Sequence, residues 1–159
     1  MHKTKFIAWA TVIAATYSAL TVLLSPLSYS YLQVRVAEAM TILPMLLGLP
    51  AVLGLFIGCL ISNLFSPIGL VDIIFGSLAT LIAAIFTWKF NRKSVLLGAF
   101  YPVLFNSLIV GFYLSVFYNV PLGIAVGSVA LGEAIAVYVI GVPLYKALQT
   151  RISKSVWSY

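Results

Sequence analysis

Apolar residues run through this chain in long blocks, and the breaks between the blocks are short, polar or proline-bearing. Read with helical periodicity, the pattern predicts six helices over about residues 5–24, 35–48, 50–64, 70–90, 94–118 and 122–145, in one integral membrane domain covering 1–159. Ser25-Pro26 ends the first block, because the residue before a proline is pushed out of the helical region. The apolar run from Phe6 to Leu24 exceeds the roughly 7–15 residues of a signal-peptide core, and no small-x-small cleavage pattern follows it, so a retained membrane helix is expected. Residues 25–34 read as a loop at the membrane surface, with Tyr29 and Tyr31 as interface anchors or lid residues.

The second block differs from the others. It carries Pro44 inside and Pro50 just beyond, and its extent of about 21 Å at 1.5 Å per residue falls short of a hydrocarbon core of about 30 Å. Short, proline-interrupted backbone at membrane depth survives where protein or a cavity surrounds it. Small residues recur four apart on helix 1 (Ala10, Ala14 and Ser18, with Thr11, Ala15 and Ala19 beside them) and on helix 3 (Gly54, Gly58 and Ser62). Such rows allow close helix approach. On helix 1 they serve either packing within this chain or docking of a separate membrane subunit, with Ala10 and Ala14 as the docking residues.

Composition fixes the class. Hydrophobic residues make up 63% of the chain and charged residues 8%, against roughly 25% charged in soluble domains. No soluble domain fits in what remains. The net charge of +6 does not mark a nucleic-acid binder, because the basic residues sit at the ends of apolar segments. Eight of the nine form three clusters: Lys3 and Lys5; Lys89, Arg92 and Lys93; Lys146, Arg151 and Lys154. Six helices put all three on one side, which the positive-inside rule makes the cytoplasm. Both termini are then cytoplasmic in a multi-pass membrane protein, and the basic tail from Lys146 lies along the membrane surface. Cys59 is the single cysteine and His2 the single histidine. No internal disulfide is possible, no metal site is expected, and no Ser-His constellation can be assembled for an enzyme.

Four charges remain once the clusters are set aside: Arg35, Glu38, Asp72 and Glu133. Ionisable groups at membrane depth are expensive and usually face a partner, a cavity or a substrate. Arg35 and Glu38 stand three apart on a helix and are expected either to pair with each other or to meet a ligand. Asp72, in the first turn of helix 4, either complements the helix dipole or contacts substrate. If Arg35 and Glu38 pair, two carboxylates lack a base and are expected to take up a proton or a guest rich in N–H donors. Asn106, Asn63 and Tyr17 offer neutral polar contacts to such a guest, and Asn106 serves equally as an interhelical hydrogen-bonding group.

The segment Val34-Arg35-Val36-Ala37-Glu38-Ala39-Met40-Thr41-Ile42-Leu43-Pro44 is similar to the signature of the QueT family. Pro67-x-Gly-x-x-Asp72 and the glycine-bearing helix 3 are similar to that family as well. Six small helices and the Ala10-x-x-x-Ala14 face resemble the substrate-binding S components of energy-coupling factor (ECF) transporters. The resemblance covers nearly the whole chain. It implies uptake from outside the cell of a queuosine precursor, a 7-deazaguanine such as the aminomethyl form. It also implies docking through helix 1 on a membrane coupling subunit driven by two cytoplasmic ATPases, with toppling of the S component in the bilayer. ATP would sit on those partners, since no phosphate-binding Gly-x-x-x-x-Gly-Lys-Ser/Thr loop occurs in this chain. Glu38 would take the base edge, Asp72 or Glu133 the amine, and Arg35 the carbonyl oxygen or Glu38. The alternatives are an S component for another small vitamin, a non-transport membrane scaffold whose charges pair internally, and, least favoured, a membrane enzyme.

Overall fold

The computed structural model describes residues 3–29, 34–90 and 94–151. Tyr31 of the outer loop and Arg92, Lys93 and Lys154 of the basic clusters lie outside the described residues, as do His2 and the end of the tail. Every regular element among the described residues is helical. The helices are α1 (Lys3–Leu23), α2 (Val36–Leu47), α3 (Leu49–Asn63), α4 (Asp72–Phe90), α5 (Val95–Tyr118) and α6 (Leu122–Gln149). A single helical turn, Ser25–Ser28, follows α1. Pro26 opens this turn, a place that needs no N–H, so the stretch read as loop begins with helix.

Four of the helices, α1, α4, α5 and α6, are long and apolar enough to cross a membrane, whereas α2 and α3 are shorter. The shortness of α2 follows from where it lies. α1, α3, α4, α5 and α6 pack in succession, α1 on α3 and so on to α6, and α2 contacts α1, α4, α5 and α6 from within. Its residues from Ala37 to Leu47 are all buried. A broken segment is tolerated there because protein covers its backbone on every side.

Local chemistry accounts for the irregular turns. Val36–Ile42 is a 3₁₀ helix of seven residues, longer than the usual three or four. Pro44 cannot donate to Met40, whose carbonyl accepts from the Leu43 N–H at 2.9 Å instead. The Thr41 hydroxyl donates to the Glu38 carbonyl at 2.5 Å. Gly48, at φ 66°, turns the chain between α2 and α3, in a conformation that favours glycine, with the Trp88 indole against it. In α6 a π stretch, Ile135–Gly141, leads into Pro143, and α4 begins with a π turn, Asp72–Gly76. Pro102 sits inside α5 and leaves the Gly98 carbonyl without its helical N–H. The Thr87 hydroxyl of α4 donates to that carbonyl at 3.1 Å.

The small residues close the α1–α3 seam. A Cβ added at Gly54 would stand 2.7 Å from the Ala10 carbonyl oxygen, and one at Gly58 would stand 2.8 Å from that of Ala14. Ala14 is buried and Ala10 half-buried on this contact, so packing within the chain occupies that row. Thr11, Ala15 and Ala19, one step around α1, are exposed.

Candidate functional site

Arg35, Glu38, Asp72 and Glu133 are all buried, and the structure gathers them around the start of α2. Arg35 precedes the 3₁₀ helix in an extended conformation (φ −92°, ψ 95°). It therefore does not share a helical row with Glu38, and its side chain reaches toward α3 and α4. Nη2 lies 3.5 Å from Asp72 Oδ2, the one ion pair among the described residues, and Nη1 lies 3.8 Å from Cys59 Sγ. The expected Arg35–Glu38 pair is thus replaced by Arg35–Asp72. Asp72 is held by this pairing and by the hydroxyl of Tyr113, which donates to Oδ1, rather than by its helix terminus alone.

A tight polar shell supports that pair. Asn63 Nδ2 donates to the Asp72 carbonyl at 2.9 Å, within the π turn, and lies 3.4 Å from both Cys59 Sγ and Ser77 Oγ. A Cβ at Gly76 would fall 2.7 Å from Asp72 Oδ1, so the glycine lets the carboxylate fold back along its own helix. On the loop side, the Tyr29 ring lies 5.5 Å from the Arg35 guanidinium carbon, and its hydroxyl donates to the Ser62 carbonyl at 2.5 Å. Burial raises the Tyr29 phenol above its ordinary pKa, with the Arg35 charge acting in the opposite direction. Tyr29 thus covers Arg35 as the cationic face of the site.

A second centre lies beside the first. Tyr17 of α1 donates its hydroxyl to Glu38 Oε1. Asn106 of α5 directs Nδ2 toward two carboxylates at once, Glu38 Oε2 at 3.3 Å and Glu133 Oε1 at 2.9 Å. Neither carboxylate has a basic partner among the described residues. Two carboxylates bridged by one amide in a buried site repel each other when both are ionised, and a proton or a cationic or N–H-rich guest relieves that repulsion. The two carboxylates without a base are therefore Glu38 and Glu133, not Asp72 and Glu133.

Tyr17, Arg35, Glu38, Asn63, Asp72, Asn106 and Glu133 all fall in this linked network, drawn from every helix of the bundle. Tyr113, Cys59, Ser77 and Thr80 also belong to it, and sequence reasoning had not assigned them there. Among the described residues no group of three His, Cys, Asp or Glu side chains is placed to hold a metal ion.

A family model described as QueT transporter matches residues 7–150. Neither a curated protein nor a solved structure matches the chain significantly.

Proposed function

The chain belongs to the QueT transporter family, and from that premise we propose that it is the substrate-binding S component of an ECF importer for a queuosine precursor. Family membership and the long apolar helices make it a membrane-embedded transporter component that handles a small molecule. In the proposed reading all six helices lie within the cell membrane, the short α2 and α3 enclosed by or packed on the four long ones, both termini are cytoplasmic, and the Tyr29 end of the bundle faces outward. The ligand is a 7-deazaguanine, and the aminomethyl form suits the site best.

One observation carries this reading: Glu38 and Glu133, buried and bridged by Asn106, form no ion pair with a base among the described residues. A guanine-like edge presents adjacent N–H donors that one carboxylate accepts together, and Glu38, on the central helix, is the residue for that edge. Arg35 and Asp72 form the rim, with Asn63 holding the Asp72 backbone and Tyr17 orienting Glu38. Release into the cell requires a coupling subunit and two cytoplasmic ATPases, which hold the ATP. Because Ala14 is buried on α3, the coupling subunit meets α1 along Thr11, Ala15 and Ala19 beside the half-buried Ala10.

The test is a binding screen of the purified protein in detergent against 7-deazaguanines and a panel of small vitamins, with Glu38→Gln alongside. Tight binding of a 7-deazaguanine that Glu38→Gln abolishes is the expected result. Binding of a different vitamin reassigns the ligand, and unchanged deazaguanine affinity in Glu38→Gln removes Glu38 from the site.

A further inference from the structure

Five of the six carboxylate oxygens of the buried network can be followed to a donor. Asp72 accepts from Tyr113 at Oδ1 and from Arg35 at Oδ2. Glu38 accepts from Tyr17 at Oε1 and from Asn106 at Oε2. Glu133 accepts from Asn106 at Oε1, and its Oε2 has no donor among the described residues. The same holds for Oδ1 of Asn106, the residue that bridges the two glutamates. Glu133 is 6% exposed and Asn106 2%, so bulk water does not reach these atoms freely. A buried acceptor without a donor costs free energy that a suitable ligand group recovers.

We infer that Glu133 and Asn106 form the seat for a primary ammonium group on the ligand, and that Glu133 rather than Asp72 decides between a cationic and a neutral substituent on the base. This rests on the transport reading above and sharpens it. An ammonium offers three N–H donors and no acceptor. It meets Glu133 Oε2 and Asn106 Oδ1, and its charge balances a carboxylate that has no base. Asp72 does not take this part, because the Arg35 charge already answers its own. A neutral hydroxymethyl group of similar size brings one donor and no charge, so it leaves Glu133 unbalanced.

The test compares 7-aminomethyl-7-deazaguanine with 7-hydroxymethyl-7-deazaguanine on full-length wild type, Glu133→Gln, Glu133→Asp and Asp72→Asn, by calorimetry in nanodiscs. Wild type should prefer the amine by roughly 10- to 100-fold, the scale of a desolvated charge-assisted hydrogen bond. Glu133→Gln should erase that preference by weakening the amine far more than the neutral ligand. Glu133→Asp, which keeps the charge on a shorter arm, should retain most of the preference at lower affinity. A preference that persists in Glu133→Gln, or that disappears in Asp72→Asn instead, overturns the assignment and leaves the transport reading standing. Binding of neither ligand by wild type overturns both.

Discussion

Replacing Arg35 by Gln removes the one cation, among the described residues, from a buried group that also holds three carboxylates. At the 3.5 Å separation of Arg35 and Asp72, Coulomb's law with an effective dielectric constant of about 20 gives about 5 kcal/mol of attraction. The pair is almost wholly buried, with 8% and 0% side-chain exposure, so little of that is screened. Removing one member of a buried pair typically costs roughly 3–5 kcal/mol, because the other charge is stranded, whereas removing both together costs much less. Arg35→Gln should therefore destabilise the protein by about 3–5 kcal/mol in equilibrium unfolding in mixed micelles. Arg35→Gln with Asp72→Asn should recover at least about half of that loss. Arg35→Gln with Glu38→Gln should recover less, because Glu38 is hydrogen-bonded by Tyr17 and Asn106 and forms no close ion pair with the guanidinium. Additive losses for Arg35 and Asp72, or stronger coupling of Arg35 to Glu38, would refute the pairing.

Two further perturbations test the frame that holds the site. Gly58→Ala places a methyl group 2.8 Å from the Ala14 carbonyl and should cost about 1–3 kcal/mol by forcing α1 off α3; Gly127→Ala, with nothing within 4 Å, should change stability by no more than about 0.5–1 kcal/mol, both read by unfolding in mixed micelles. Thr87→Val removes the donor to the Gly98 carbonyl that Pro102 leaves free, and should cost about 0.6 kcal/mol and at most about 1.7; amide hydrogen exchange around Gly98 should rise with it.

The extents of the helices were legible because apolar length and proline placement dominate in a chain with so few polar residues. Thus α5 runs from Val95 to Tyr118, between the Ser94 cap and the left-handed Asn119. The short second helix and its need for enclosure were legible through Pro44, but which helices enclose it was not, because their apolar faces carry no pattern that separates a neighbour from lipid. The four membrane charges stood out by their rarity. Their pairing did not, because helical spacing of Arg35 and Glu38 assumes both are helical, and Arg35 is extended. Tyr113 was hidden among nine tyrosines, yet it stands seven residues after Asn106, on one face of a helix, as Thr80 stands eight after Asp72 and Asn63 four after Cys59. Following those rows from each rare polar residue would have gathered the shell. The role of Ala10 and Ala14 was open in the sequence because alanine serves an internal and an external seam equally well. Gly54 and Gly58 occupy that contact in the fold.

The most direct test is a structure of the protein with 7-aminomethyl-7-deazaguanine bound. A planar base between α2, α4, α5 and α6, with its N–H edge on Glu38 and the amine beside Glu133, is the expected result. A ligand lodged elsewhere, with the Glu38–Asn106–Glu133 bridge unchanged, would contradict the idea that these buried acids exist to receive a cationic solute.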